Sequence, residues 1–303
     1  MRNSVCLSII LLFAIYTPAL AQSGESSFEF LLIGPGSRAA AMGEASTAIS
    51  GDVGAPYFNP ASAGFLDDTE FSFMHISYLT DVTLDHFSLV THSNKFRYGM
   101  GLYYGKVANI QRRDLVPTEE PLGTFDEHNF TASFFWAIQA TDRFAFGNAI
   151  KWAYEKLDIS SASAVGLDLG AFYKIKPQIY LGASVRNIGT KPKFETSSFD
   201  LPRELRLGIS YKTFPGTTTG GLILAADYVA ANWGNKSSKL NIGSEYTYQN
   251  LFAIRMGYDF GYDSRNFSIG GGLAYKSYFF DYAFVPSKHN LSDTHRFTLR
   301  IKT

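Results

Sequence analysis

The side chains that could perform acid, base or metal chemistry are scattered along this 303-residue chain. Its histidines have neither an HExxH motif nor any other metal-ligand spacing, and they lie at positions 75, 86, 92, 128, 289 and 295. Asp126, Glu127 and His128 resemble the rim groups of barrel enzymes, but an active site needs several groups within hydrogen-bond reach. A short charged run is more typical of a solvated strand entry. The sequence therefore predicts no enzyme, no catalytic residue and no metal.

The glycine-rich stretch from Gly34 to Ala39 resembles part of a dinucleotide-binding site. It follows an apolar run and precedes alanine-rich, helix-like sequence, as the glycine turn of a dinucleotide site does. Gly43 and Gly51 interrupt that helix, and no βαβ unit follows, because the sequence downstream has the pattern of strands. We therefore expect these glycines to serve tight turns, and we expect no cofactor.

Charge and cysteine content exclude further classes. The chain has 27 Lys and Arg against 27 Asp and Glu, a balance that excludes a strongly basic nucleic-acid binder. Residues 1–21 have the positive end, the apolar run from Val5 to Ala14 and the small-residue cleavage site of a signal peptide. Cys6, the only cysteine, lies inside this segment. The mature chain is thus expected to be exported and to lack disulfides, thiolate-bound metals and a cysteine nucleophile.

The elements that must position any site are strands. Beyond Gln22 no window approaches 18 consecutive apolar residues, so any membrane insertion must be as a closed barrel. Bulky residues alternate with small or charged ones, as in Phe252, Ile254, Met256, Tyr258 and Phe260 against Ala253, Arg255, Gly257 and Asp259. A soluble sandwich would alternate in the same way, but its strands are shorter, about five or six residues.

Fourteen runs of about ten residues can be counted, an even number as in bacterial single-chain barrels. They cover 69–79, 84–91, 96–107, 127–138, 143–155, 164–175, 178–189, 203–213, 220–231, 238–248, 251–261, 266–276, 278–286 and 293–302. Long and short gaps alternate between them, which predicts short periplasmic turns and longer outer loops, with 108–126 as the largest outer loop. Inward charges of mixed sign, such as Lys151, Arg206, Glu245 and Arg255, are expected to pair across a polar lumen.

The segment before the strands has a different character. Asn59 can cap a helix, Pro60 suits its first position and Gly64 suits its exit, so Asn59 to Gly64 predicts one compact helical turn. Because fourteen strands enclose a lumen unless something fills it, we expect residues 22–64 to enter or cover the barrel from the periplasmic side. The predicted fold is therefore all-β: a 14-stranded antiparallel transmembrane barrel over 65–303, with a short helical N-terminal plug.

Two motifs in this segment are shared with a known family. The run from Gly36 to Ala45 (GSRAAAMGEA), followed by YFNPA from Tyr57 to Ala61, resembles the PorV/PorQ family of outer-membrane proteins. That family is related in fold to the FadL-type transporters, with fourteen strands and a plug carrying an Asn-Pro-Ala element. The resemblance implies a non-enzymatic role in type IX secretion, through the secretion machinery or through exported proteins with C-terminal signals. It also implies plug residues that contact partners or ligands: Gly36, Arg38, Met42, Gly43, Asn59, Pro60 and Ala61.

An alternative function stays open beside this one. A transporter of hydrophobic small molecules would need an apolar pocket between plug and wall and an opening toward lipid. Gly99, Gly101 and Gly105 in the third strand are placed where a bulge or kink could form. A passive pore or structural barrel is disfavoured if the plug is ordered.

A closed barrel leads to a simple prediction. Because all its backbone hydrogen bonds close around the ring, the purified protein should resist detergent until it is heated. Unboiled and boiled samples should therefore migrate differently on a denaturing gel. Equal mobility, together with recovery in the soluble periplasmic fraction, would refute membrane insertion.

Overall fold

A computed structural model describes residues 27–78, 81–114, 119–213, 220–231, 238–288 and 292–303. The predicted signal peptide, residues 1–21, lies outside these described residues.

Fourteen of the strands close into one antiparallel barrel, which confirms the predicted fold. Its first and last strands pair along their length, from Glu70 opposite Lys302 to Ser77 opposite His295. Two further strands, β8 and β9, form a small separate hairpin. The strands are β1 Glu70–Tyr78, β2 Val82–Ser93, β3 Phe96–Arg112, β4 Gly123–Gln139, β5 Phe144–Leu157, β6 Ser160–Lys176, β7 Ile179–Gly189, β8 Lys193–Phe194, β9 Ser197–Ser198, β10 Glu204–Lys212, β11 Gly220–Ala231, β12 Lys239–Tyr248, β13 Phe252–Phe260, β14 Phe267–Tyr275, β15 Tyr278–Val285 and β16 Thr294–Lys302.

The two faces of the wall differ as the alternation predicts. On β13, the outward side chains of Phe252 and Ile254 are 55% and 62% exposed, whereas the inward Arg255 and Asp259 are buried. An apolar outward band on a closed barrel is the surface that such proteins present to lipid. No helix within the described residues is long and apolar enough to span a membrane.

The two ends of the barrel differ in their connections. We call the end where β1 begins and β16 ends the turn end, and the opposite end the loop end. Within the described residues, turns as short as Asn94 and Lys95 join strands at the turn end, while the β7–β10 connection at the loop end spans 190–203 and contains β8 and β9. The short gaps in the sequence therefore lie at the turn end, and the long gaps lie at the loop end.

Two predicted loops at the loop end are wrong over most of their length. Strand β3 continues to Arg112 and β4 begins at Gly123, so most of the predicted loop 108–126 is a strand hairpin. Only Asp158 and Ile159 remain between β5 and β6, where residues 156–163 were expected to be a loop. In the β3–β4 extension the side chains of both faces are exposed or half-buried, so alternation fades there although strand pairing continues.

The N-terminal segment crosses the whole lumen. It consists of a 3₁₀ turn at Glu29–Leu32, α1 at Ser37–Ala41, α2 at Ala55–Phe58 and a second 3₁₀ helix at Pro60–Phe65. At the loop end, the backbone N–H of Phe28 donates to Glu155 on β5 at 3.1 Å. At the turn end, Arg97 on β3 donates to the carbonyl of Leu66 at 2.7 Å. We use the word plug for residues 27–66.

The β3–β4 hairpin allows the orientation of the barrel to be tested. Arg112 belongs to β3 and donates to Asp158 at 2.6 Å, whereas Arg113 follows the strand. Trypsin added to intact cells should therefore cut after Arg113 in preference to Arg112. An Arg113→Gln variant should lose this cleavage while keeping its heat-modifiable mobility. Cleavage that requires an opened outer membrane would place the loop end in the periplasm and reverse the topology.

Candidate functional site: the plug and its seat in the barrel

Helix α1 is short because glycines bracket it. Gly36 before it and Gly43 after it have φ of 93° and 61°, the left-handed region that favours glycine. A Cβ on Gly43 would also lie 2.8 Å from a carboxylate oxygen of Asp259. Ser37, the first residue of α1, is tied to β16 because its backbone N–H donates to the Thr298 hydroxyl at 2.9 Å. The stretch from Gly34 to Ala39 is thus a turn and one short helix, anchored on the wall.

Arg38 on α1 forms the central ion pair between plug and wall. Its Nε and Nη2 donate to the two carboxylate oxygens of Glu245 on β12, both at 2.8 Å. Its Nη1 donates at 2.6 Å to Asp52 in the plug. A bidentate arginine pair of this type is strong and geometrically specific. It fixes the angle at which α1 meets the wall.

Buried ion pairs continue from Arg38 along the wall. Arg255 on β13 bridges Glu245 at 2.6 Å and Asp281 on β15 at 2.7 Å. Arg300 on β16 then bridges Asp281 at 3.0 Å and Glu70 on β1 at 3.1 Å. We call these side chains, with Arg38 and Asp52, the ion-pair ladder. The ladder links five wall strands to the plug, so inward charges on distant strands are neutralised together.

A second group of charges surrounds Glu44, which follows α1 in the plug. Arg265, between β13 and β14, contacts the two carboxylate oxygens of Glu44 at 2.9 and 3.3 Å, and Arg296 on β16 lies 3.6 Å from one of them. Arg265 also pairs with Asp259 at 3.0 Å. Sequence reasoning quoted Glu44 only as part of the family motif and did not identify it as a contact.

The pKa values of the plug carboxyls follow from these pairs. Burial by itself would raise the pKa of Glu44, but the charges of Arg265 and Arg296 outweigh it and lower that pKa to about 2. Burial opposes the charge of Arg38 in the same way at Asp52, whose pKa is also lowered to about 2. Both carboxyls therefore stay ionised at neutral pH, and the pairs that hold the plug persist there.

The loop between the plug helices is held by Asp227 on β11. One carboxylate oxygen of Asp227 accepts from the backbone N–H groups of Ser46 and Thr47 at 3.0 and 2.9 Å, and from the Thr47 hydroxyl at 2.6 Å. Arg206 on β10 pairs with the same oxygen at 3.2 Å and donates to the carbonyl of Glu44 at 2.6 Å. The backbone of this loop is therefore recognised directly by wall side chains.

Asn59 caps the second 3₁₀ helix, as its sequence position predicts. Its side-chain oxygen accepts from the N–H of Ala61 at 3.1 Å, and Pro60 occupies the first helical position. Its amide nitrogen donates to the carbonyls of Thr47 at 2.9 Å and of Ala171 on β6 at 3.0 Å. Asn59 therefore joins two plug segments and the wall.

Gly64 does not end the helix, contrary to the prediction from the sequence. It lies inside the 3₁₀ helix, which ends at Phe65. A Cβ on Gly64 would lie 2.5 Å from the Cβ of Ala145 on β5. The absence of a side chain at Gly64 serves close packing on the wall rather than a turn.

Glycines on the inward face of the wall receive the plug backbone. A Cβ on Gly147 would lie 2.6 Å from Pro60, one on Gly182 2.0 Å from Thr47, and one on Gly257 2.1 Å from Gly43. These glycines face other glycines across neighbouring strands, in the pairs Gly147–Gly170, Gly182–Gly208 and Gly243–Gly257. We call these six residues the glycine belt. The belt explains why glycine alternates into inward positions of so many strands.

The residues expected to contact partners or ligands lie in the plug, where Gly36 and Arg38 are half-buried and the other five are buried, but they do not form one site. Gly36 lies beside Met74 on β1, and Arg38, Met42 and Gly43 lie against β12 and β13. Asn59, Pro60 and Ala61 lie against β5 and β6. Their partners on the wall were not identified from the sequence, because a buried carboxylate has no local motif. Within the described residues no group of three or more His, Cys, Asp or Glu is placed to hold a metal ion.

The bulge or kink that Gly99, Gly101 and Gly105 would permit is not present. These residues pair with Val90, Ser88 and Leu84 on β2, and β4 pairs along the same stretch. The irregularity in β3 lies further along, between Val107 and Ile110. The glycines serve packing instead, since a Cβ on Gly99 would lie 2.1 Å from the carbonyl of Leu89.

Replacing Asn59 with Ala should loosen the plug without opening the wall. The change removes a cap worth about 1 kcal/mol and leaves the carbonyls of Thr47 and Ala171 without the Asn59 donor. Amide exchange should therefore become faster in the plug, while heat-modifiable mobility stays unchanged because interstrand bonds are untouched. Thr190→Ala, at an exposed hydroxyl of the loop-end connection, serves as the control. Unaltered plug exchange in Asn59→Ala would show that the plug does not depend on this cap.

Comparisons with known proteins agree with this architecture. The toluene transporter TbuX of Ralstonia pickettii superposes with a TM-score of 0.66 at 16% identity, covering 90% of this chain and 99% of that one. The Pseudomonas putida toluene transporter TodX gives 0.63 at 16% identity, with 88% and 96% covered. A Pseudomonas aeruginosa FadL homologue gives 0.55 at 12% identity, with 88% and 96% covered. Such identities establish a shared fold alone.

Sequence comparison supplies the family. No curated protein matches the chain. A family model described as "Type IX secretion system protein PorV" matches residues 22–216, which is more than half of the chain and includes the plug and the wall through β10. The chain therefore belongs to the PorV family of type IX secretion system proteins.

Proposed function

We propose that this protein is a non-enzymatic outer-membrane component of type IX secretion, which acts through protein partners in export or surface delivery. The family match over residues 22–216 carries this proposal, because it covers both the plug and most of the wall. The closed barrel with an apolar outward face supports an outer-membrane location. The proposed domains are a signal peptide at 1–21, the plug segment at 22–64 and the barrel at 65–303.

The contacts between plug and wall favour a function carried out at the ends of the barrel rather than by passage of a polypeptide through its lumen. Removing the plug would leave Glu245 without Arg38, and Arg265 and Arg296 without Glu44. Glu245 and Arg265 would keep Arg255 and Asp259 as partners, but the pairs that hold the plug in position would be lost. A polypeptide passing through this lumen would have to displace several such pairs at once. Contact with partners at the barrel ends needs no such displacement.

The loop end offers a defined surface for such contact. Ile159 at the β5–β6 tip is 88% exposed, and Leu122 beside β4 is 62% exposed. The ion pair of Arg112 with Asp158 fastens the two hairpins together, and Ser160 donates to Glu195 next to β8 at 2.7 Å. We propose that these exposed apolar side chains contact the partner proteins. We call Arg112, Leu122, Asp158 and Ile159 the loop-end ridge.

The second candidate function is transport of hydrophobic small molecules. The fold shared with toluene transporters favours it. Such transport needs a passage beside the plug and a way out through the wall. The continuous pairing of β3 at Gly99 to Gly105 and the ion-paired plug both weigh against it.

The two functions can be separated in cells that lack the chromosomal copy. Cargo proteins with C-terminal secretion signals should accumulate in the periplasm, and the wild-type gene should restore their surface delivery. An Ile159→Glu variant should fail to restore delivery although its barrel is folded, because a charge on the loop-end ridge opposes apolar contact. The measurements are cargo in the surface, periplasmic and medium fractions, and heat-modifiable mobility of the barrel.

Leu251→Glu provides the matched control, since Leu251 is an exposed apolar tip at the turn end. It should restore delivery as well as the wild type does. Normal cargo delivery in the deletion strain, combined with lost uptake of radiolabelled toluene or fatty acid, would overturn the secretion role and establish the transporter.

A further inference from the structure

The outward face of β1 and β2 has a much shorter apolar stretch than other parts of the wall. Over Glu70–Tyr78 and Val82–Ser93, the outward apolar side chains are Phe71, Phe73, Phe87 and Leu89. On β13, by contrast, every outward side chain from Phe252 to Phe260 is apolar. At about 3.3 Å per residue, the apolar stretch is about 7 Å long on β1 and on β2, and about 26 Å long on β13.

An ion pair that faces outward ends this short stretch on the side of the loop end. Nδ1 of His75 lies 2.7 Å from a carboxylate oxygen of Asp85, and their side chains are 53% and 58% exposed. Ser77 and Thr83, which are Cα partners, occupy the next outward positions. A charged group is costly where it faces hydrocarbon. The pair therefore marks a level that lipid chains do not cover.

A second polar pair ends the same stretch on the side of the turn end. There the hydroxyls of Thr69 and Thr91 are 2.9 Å apart. From Thr69 to Ser77, eight residues span about 26 Å of strand. A strand tilted by about 40° crosses about 20 Å of membrane over that length. The hydrocarbon core of a typical bilayer is about 30 Å thick, so it exceeds the distance between the two polar ends.

The narrowing is confined to one side of the barrel. On β16, next to β1, the apolar stretch already has three outward residues, Phe297, Leu299 and Ile301. On β3, next to β2, it has five, from Phe96 to Tyr104. The height of the apolar band therefore has a minimum at the β1–β2 pair.

A groove of about 850 Å³ crosses the outer wall at this level. Its apolar edge includes Phe280, Phe73 and Phe87, and its polar edge includes His75 and Asp85. From β15 to β3 the groove crosses four strand spacings, or about 19 Å. An acyl chain that spans half of the hydrocarbon core is about 15 Å long. A lipid with its headgroup at the polar edge can therefore lay a chain along the groove.

The contacts of this face favour lipid over a protein as its neighbour. His75 and Asp85 pair with each other, so this pair leaves no charge that requires a group from a partner. Over its described length β1 pairs with both β16 and β2, so it has no open edge for another strand. Lipid is the surrounding that an outward barrel face meets by its position.

We propose that the β1–β2 face thins the bilayer, with headgroups and water drawn inward to the His75–Asp85 pair. Bilayers accommodate an apolar band that is too short by thinning locally. The proposal rests on the outer-membrane location given under the proposed function. It does not depend on secretion partners or on the loop-end ridge.

Single-cysteine variants of residues 22–303 test the proposal, because that part of the chain has no cysteine of its own. Thr69→Cys and Ser77→Cys place a nitrobenzoxadiazole label at each polar end of the β1 face. Phe252→Cys and Phe260→Cys on β13 are the matched pair, also eight residues apart. Each protein is refolded into dioleoylphosphatidylcholine vesicles, and heat-modifiable mobility identifies folded barrels. The labels are then exposed to iodide on both sides of the membrane, or to phosphatidylcholine with brominated chains.

Both β1 labels should be quenched by iodide and not by the brominated chains, whereas both β13 labels should show the reverse. A core of ordinary thickness must cover at least one β1 label, because the two lie only about 20 Å apart in height. Quenching of either β1 label by brominated chains, as strong as on β13, would overturn the thinning and leave this face to a protein. Failure of the unmodified chain to fold in vesicles would instead refute the membrane location, on which the proposed function also rests.

A further variant assigns the thinning to the ion pair. His75→Leu combined with Asp85→Leu adds one apolar step to each strand, so the label at Ser77 should lose iodide quenching and gain quenching by brominated chains. Ser244→Leu is the matched control, since Ser244 faces outward between the apolar Ile242 and Tyr246 and its replacement does not lengthen the band. Unchanged quenching in the folded double variant, or an equal change in Ser244→Leu, would overturn the role of the pair.

Discussion

The pairing of buried charges is the constraint on which the rest of this structure depends. The wall turns its apolar side chains outward, so the inward positions contain arginines and carboxylates that are shut away from bulk water. A buried charge without a partner is costly, whereas a paired and hydrogen-bonded one is tolerated. Arg38 and Glu44 add second partners to Glu245 and Arg265, which also pair within the wall, and Glu44 is the carboxylate that lies near Arg296. The plug therefore completes the electrostatics of the barrel.

Close contact between backbones is the second requirement, and it follows from the first. Ion pairs of 2.8 and 2.9 Å between plug and wall require the plug to lie against the wall rather than loosely within the lumen. The glycine belt makes this possible, since a Cβ on Gly182 would meet the carbonyl oxygen of Thr47 at 2.0 Å. Glycine weakens a strand. Here the strand pairing nevertheless continues through all three glycine pairs.

The sequence predicts the wall well because lipid exposure imposes a regular pattern. Strand β11 was predicted at 220–231 and is found at Gly220–Ala231. Strand β4 was predicted at 127–138 and is found at Gly123–Gln139. The additional residues lie mainly beyond the apolar band, where lipid no longer imposes alternation. The cap at Asn59 was predictable because its signal is local. The pair of Arg38 with Glu245 was not, since the two residues are 207 positions apart and neither has a local signature.

These features bear on what kind of work the barrel can do. A conduit needs an inner surface that a passenger can replace at little cost, such as apolar contacts or water. The surface between plug and wall is instead made of directional ion pairs and of hydrogen bonds such as those from Ser46 and Thr47 to Asp227. Directional contacts give one well-defined position and resist partial displacement. An arrangement of this kind favours the proposed role through protein partners, because it holds the plug in one position between the two ends of the barrel.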